Sequence, residues 1–162
     1  MDEAALPGEA PKALVGRLAR AKASAVAARQ PKACVIGSDQ IAVLDGCSPL
    51  GKPGTEARCL EQLRSCSGRT VEFLTAVAVL YEESHLIEFI DTTRVTFRIL
   101  DQLTIERYVA KERPLDCAGG FKSEGLGIAL CESIDSADPS ALIGLPLIRL
   151  SAALRAAGFE VP

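Results

Sequence analysis

Apolar positions in this chain recur at two different periods, and stretches of the two kinds alternate. From Pro11 to about Arg29, Leu14, Leu18, Ala21 and Ala25 repeat at helical spacing, with Arg17, Arg20 and Lys22 off that stripe or on its edge. Pro7-Gly8-Glu9-Ala10-Pro11 is a turn leading into this helix, and Pro11 suits its first turn. Ala33 to Ser38 reads as a short buried strand bounded by turn residues; Ile41-Ala42-Val43-Leu44 and an Asp45-Gly46 turn follow. Thr55 is placed to cap a helix running to about Cys66, where Ser67-Gly68-Arg69 breaks it. Val71 to Tyr81 and Leu86 to Ile99 are rich in β-branched and aromatic residues and predict two strands joined by a Glu82-Glu83-Ser84 turn.

Asp101 caps a short helix to about Lys111, with Ile105, Tyr108 and Val109 as its apolar face and Pro114 beyond its end. A Gly-rich loop spans Gly119 to Gly127, Ile128 to Cys131 reads as a strand, Asp138-Pro139 starts a turn, and Leu145 to Ala157 predicts a closing amphipathic helix. Strands alternating with helices around a central hairpin predict an α/β domain with a mixed sheet. The length of 162 residues suits one domain, 1–162, with room for two lobes.

Composition narrows the function classes. With 48% hydrophobic and 24% charged residues the chain is ordinary globular material, and a net charge of -3 argues against a non-specific nucleic-acid binder. Six cysteines include no C-x-x-C pair, and the single His, His85, falls in a charged hairpin turn, so neither a zinc site nor a Ser-His-Asp triad is expected. Cys34 and Cys131 lie in apolar runs and read as small core residues. The acidic Met1-Asp2-Glu3 start carries no secretory signal and no segment is long enough to span a bilayer, so a reducing cytoplasm with free thiols is expected.

Candidate chemistry gathers at Gly37-Ser38-Asp39-Gln40, where the apolar run from Ala33 gives way to polar residues. Ligands of open α/β sheets bind beyond the carboxyl ends of strands, and a carboxylate buried there needs a reason. Asp39 is the candidate general base, or a carboxylate holding Mg²⁺ against substrate phosphates; the plain alternative is a turn or capping Asp. Lys22 and Lys52, the latter in Gly51-Lys52-Pro53-Gly54, are candidate phosphate cations, although this is not a P-loop. In the Gly-rich loop, Lys122 is either a phosphate contact or a surface charge. Glu124 there would accept hydrogen bonds from guanine N1–H and N2–H₂, or else is an idle solvated carboxylate. Thr92-Thr93-Arg94 and Arg98 read as strand surface.

Several segments, taken in order, resemble one family: Arg17 to Ala23, Val35 to Gln40, Leu50-Gly51-Lys52-Pro53, Ser67-Gly68-Arg69, Pro114 to Gly119, Lys122 to Gly125 and Gly144-Leu145-Pro146-Leu147. Over almost its whole length the chain is similar to Maf-like nucleoside triphosphate pyrophosphatases. Gln40 after the Asp and Phe121-Lys122-Ser123-Glu124-Gly125 look like the branch that prefers 7-methyl-GTP; the branch taking dTTP and UTP usually shows Thr after the Asp and an Ile-Gln-Gly loop. The resemblance implies a mixed-sheet α/β fold of two lobes with a cleft. The implied reaction is hydrolysis between the α and β phosphates to nucleoside monophosphate and pyrophosphate, with a divalent cation (Mg²⁺ or Mn²⁺) and a homodimer by analogy. It implies Asp39 as proton acceptor, Gln40 and Glu124 as specificity residues, Lys22 and Lys52 as basic site positions, and Glu3 as an acidic or metal position.

Family members usually begin with an apolar strand, a Ser-x-Ser-Pro-x-Arg loop and a helix, and this sequence starts instead at the family's Asp-Glu segment. A start codon placed too late is the favoured expectation; a shortened paralogue is the other. The alternative function is a truncated, catalytically impaired module that binds nucleotide or regulates cell division.

Overall fold

Local signals set most of the helices. In the computed structural model, which describes residues 3–82 and 85–162, helix α1 spans Pro11–Ala27 with Pro11 in its first turn. Helix α2 (Glu56–Cys66) starts where Thr55 Oγ1 accepts the Arg58 N–H at 3.3 Å, with Glu56 and Arg64 complementing its dipole. Helix α3 (Gln102–Glu112) starts at Asp101, whose Oδ1 accepts the Thr104 N–H at 2.7 Å, and it ends at left-handed Arg113 before Pro114. Helix α4 is Leu147–Ala156. Of the expected Glu82-Glu83-Ser84 turn, Glu83 and Ser84 lie outside the described residues, as do Met1 and Asp2 of the acidic start.

Strands β1 (Val35–Leu44), β2 (Ser48–Leu50), β3 (Thr70–Tyr81), β4 (His85–Phe97) and β5 (Cys131–Asp135) form one sheet in the order β2-β1-β3-β4-β5. The α/β class is as expected, but the sheet is antiparallel rather than mixed. Helix α2 does link two strands of like direction, β2 and β3, yet β1 lies between them and runs against both. A helix between strands in sequence therefore does not make them neighbours.

Three local expectations need correction. First, β1 is one ten-residue strand rather than two runs, so Gly37-Ser38-Asp39-Gln40 lies in mid-strand and not at a strand end. Val35, Gly37 and Ala42-Val43-Leu44 are buried, while Ile36 is exposed. Second, the buried face of α1 is Leu14, Val15, Leu18, Ala19 and Ala23, a stripe rotated from the expected one. The small side chains of Ala19 and Ala23 let the strand lie against the helix at Gly37. Third, Leu126–Leu130 is a 3₁₀ turn and the strand begins only at Cys131. The N–H groups of Gly125 and Gly127 both bond to Lys122 O, which curls the chain here, and Leu126 and Ile128 stay exposed.

The chain divides into two compact units. The first comprises residues up to Gln40, Leu74–Thr92 and Ala137–Pro162; its core includes Val77, Val79, Leu150 and Ala153, with Cys34 and Phe89 packed on them. The second comprises Ile41–Phe73 and Thr93–Ser136. There Phe121 lies 5.5 Å from Phe73 and 5.2 Å, edge-on, from Phe97. Each such buried ring contributes about 1.5–3 kcal/mol. Thr93, expected at the surface, is buried with its hydroxyl 2.9 Å from that of Ser136, whereas Arg94 is exposed as the alternation of β4 requires, and Arg98, just past the strand's end, is exposed too. Among the described residues no helix is long and apolar enough to cross a membrane.

All six cysteines are free thiols, and the deepest are Cys59 and Cys66 on α2 rather than Cys34 and Cys131, which are half-buried near the ends of β1 and β5. Burial pushes the Cys59 and Cys66 thiols up to about 11. In the native protein at pH 8, iodoacetamide should therefore modify exposed Cys47 first and leave Cys59 and Cys66 unmodified. Peptide mass spectrometry reads this directly; equal labelling of Cys47 and Cys66 in folded protein would contradict it.

Candidate functional site

Pleating sends alternate residues of β1 to opposite faces of the sheet. Gly37 and Asp39 face α1, and a Cβ at position 37 would stand 2.3 Å from Ala19 O and 2.6 Å from Ala23 N, so the missing side chain is what lets helix and strand touch. That contact carries Lys22, on the same side of α1, to Asp39: Nζ lies 2.5 Å from Oδ1. The Asp39 carboxylate is 10% exposed and the Lys22 side chain 33%. Glu3 supplies a second carboxylate 3.1 Å from the same ammonium. Burial pulls the Lys22 pKa down, but the hydrogen bonds to Asp39 and Glu3 outweigh it and leave the group above its ordinary value.

Arg17 anchors the segment that carries Glu3. Its guanidinium grips Glu9 through two bonds, 2.7 and 2.8 Å, and donates to Ala4 O at 3.0 Å, tying the segment before α1 onto the helix. The Arg17 hydrogen bonds hold the Glu9 carboxyl down at about 2, with the Leu6 N–H assisting.

The other face of β1 is occupied by polar ties to the C-terminal part of the same unit. Ser38 Oγ lies 3.0 Å from Ala76 O and 2.8 Å from Gly144 O. Gln40 Nε2 donates among Thr75 Oγ1, Ala141 O and Leu142 O at 2.8, 3.0 and 3.2 Å, and buried Thr75 donates to Ala141 O. The amide donors of Gln40 are thus committed to fixing the 3₁₀ turn Ala141–Ile143, on the face opposite Asp39.

The remaining predicted residues belong to the second unit. Lys52 is exposed in an open hollow of about 510 Å³ lined also by Gly51, Arg58, Glu61, Gln62 and Ser65. Lys122 is paired with Glu112 at 3.1 Å, and Glu124 is exposed beside it on the loop. Consecutive left-handed residues, Gly119 (φ 64°) and Gly120 (φ 63°), start that loop.

Comparison with known proteins decides the lineage of this arrangement. A family model described as Maf-like protein matches residues 1–157. The chain belongs to the Maf-like family. A relative from Xanthomonas axonopodis pv. citri is 55% identical over 162 residues, which is 100% of this chain and 84% of that protein. One from Polaromonas sp. strain JS666 is 56% identical over 98% of this chain and 72% of its own length, and one from Alkalilimnicola ehrlichii 56% over 99% and 81%. Each of these relatives bears the name 7-methyl-GTP pyrophosphatase.

In this Maf-like chain Glu3, Lys22 and Asp39 form one charged cluster. Among the described residues no three His, Cys, Asp or Glu side chains form a ready-made metal cage. Two oxygen-donor carboxylates on one ammonium do fit an Mg²⁺-type ion, which keeps several waters and takes one or two carboxylates together with substrate phosphates. Two residues that shape this cluster, Gly37 and Arg17, are not among the site residues expected from sequence. Gly inside a strand signals close backbone approach, and that signal was available at position 37.

Proposed function

We propose that this Maf-like chain, acting as one catalytic domain, hydrolyses 7-methyl-GTP between its α and β phosphates to 7-methyl-GMP and pyrophosphate. The observation that carries the reading is the Asp39–Lys22 pair, held on a tightly packed strand–helix seam. The names of relatives about 55% identical over the whole chain supply the substrate.

The reaction needs a water directed at phosphorus through a shell of anionic oxygens. In this reading Asp39 accepts the proton of that water, and Lys22 orients the carboxylate and lends positive charge to the phosphates. Lys52 and Lys122 add cationic charge for the polyphosphate. Glu124 accepts from the guanine edge, and Gln40 acts on base choice through the Ala141–Leu142 carbonyls it holds, since its own N–H groups already have acceptors. Glu3 and Asp39 would hold a divalent cation, Mg²⁺ or Mn²⁺, which when bound offsets phosphate charge. A cytoplasmic setting and a homodimer belong to the same reading and rest on the family resemblance.

The test is product analysis with 7-methyl-GTP, GTP, dTTP and UTP in Mg²⁺ or Mn²⁺. The expected result is pyrophosphate, not orthophosphate, released fastest from 7-methyl-GTP. Orthophosphate release would reject the bond assigned. Tight binding by calorimetry without turnover would replace the hydrolase with a nucleotide-binding module.

A further inference from the structure

Glu112 is the last residue of α3, where the helix dipole disfavours a carboxylate. It nevertheless lies 12% exposed, and both of its oxygens are engaged. Oε2 accepts the Leu126 N–H at 2.7 Å, and Oε1 takes the Lys122 ammonium at 3.1 Å. The loop is shaped to this carboxylate: a Cβ at Gly125 would stand 2.4–2.6 Å from its carboxyl atoms. The preceding turn of α3 adds Tyr108, whose hydroxyl donates to Gly120 O at 3.2 Å and accepts the Lys122 N–H at 3.0 Å. The loop that carries Lys122 and Glu124 is therefore fastened at Gly120, Lys122 and Leu126 to one face of one helix.

We propose that Glu112 is a positioning residue for nucleotide binding, tying Lys122 and the Leu126 N–H to the end of α3 and so fixing the loop that presents Glu124. The inference rests on the hydrolase reading for its substrate, but its geometry stands apart from it. The bond from the Leu126 N–H, followed by that from Lys122, holds the Glu112 carboxyl below the ordinary carboxylate range, as a structural acceptor requires. Lys122 is thereby a strut of the loop as well as a charge near it. A role in the chemical step is not expected of Glu112, because both its oxygens are turned to the loop.

Hydrogen exchange at the Leu126 amide and steady-state kinetics on the full chain test this together. Losing a charge-assisted hydrogen bond should speed Leu126 exchange in Glu112→Ala roughly tenfold or more and raise KM for 7-methyl-GTP about tenfold, with kcat nearly unchanged. The preference for 7-methyl-GTP over UTP should shrink in the same variant. Glu112→Gln keeps an acceptor for Leu126 and should restore its protection and most of the KM. Unchanged exchange in Glu112→Ala overturns the proposal, as does faster exchange with an unmoved KM, or a fall confined to kcat. A wild-type chain without turnover would defeat the hydrolase reading instead. The proposal is then decided by calorimetry with 7-methyl-GTP, where Glu112→Ala must weaken Kd by the same factor.

Discussion

Asp39→Asn should lower kcat and kcat/KM for 7-methyl-GTP together by about 10²–10⁴-fold, the range a positioned general base supplies. The substitution keeps shape and one acceptor oxygen, so Lys22 retains a partner at position 39 and a second at Glu3. What is lost is the ability to take a proton. Stability should fall by only about 1 kcal/mol, because a charge-assisted bond becomes a weaker one at a half-buried site. Parallel kinetics and thermal melting separate the two effects. An Asn variant that turns over like the wild type would remove Asp39 from the chemistry; one that is inactive and unfolded would say only that the pair is structural, and Lys22→Met then distinguishes them.

The parts of the fold that sequence reading captured are those specified locally. Thr55 and Asp101 each accept an N–H within their own first turn, and their helices begin where those residues stand. The parts it missed depend on distant chain. Gly37 looks like punctuation beside Ser38 and Asp39, and only α1 lying against it explains a glycine inside a strand. The same contact chose Val15, Ala19 and Ala23 over Ala25 as the buried side of α1. Leu126 to Leu130 carries strand-like apolar residues, but two N–H groups converging on Lys122 O override that preference.

The candidate site was legible by residue type and not by place. From sequence Asp39 reads as a residue at a strand end, whereas it lies in mid-strand and owes its position to the helix across from it. Gln40, its neighbour in sequence, points the other way and is absorbed by Thr75, Ala141 and Leu142. Adjacency in a strand thus separates two side chains that adjacency in a motif seems to join. Glu112 left a faint signal, a carboxylate at the wrong end of a helix, which gains meaning only beside Gly125.

Gly37→Val should destabilise the protein by about 3 kcal/mol, the upper part of the overpacking range, and lower its melting temperature by roughly 6–12 °C. Strand propensity alone gives the opposite sign, since Val replaces the poorest strand former but Pro. The geometry decides: two of the three nearest atoms to a new Cβ, Ala19 O and Ala23 N, are backbone of α1 and have no rotamer to yield. Relief requires α1 to move as a body, and α1 carries Lys22 away from Asp39 when it does. Catalysis should then fall further than the loss of folded protein accounts for. Ala23→Gly, which removes only the contact with Ala23 Cβ at 2.8 Å, should rescue little. Denaturant midpoints with kinetics below the transition check both halves, and a Val variant as stable and active as the wild type would mean that helix and strand do not meet at position 37.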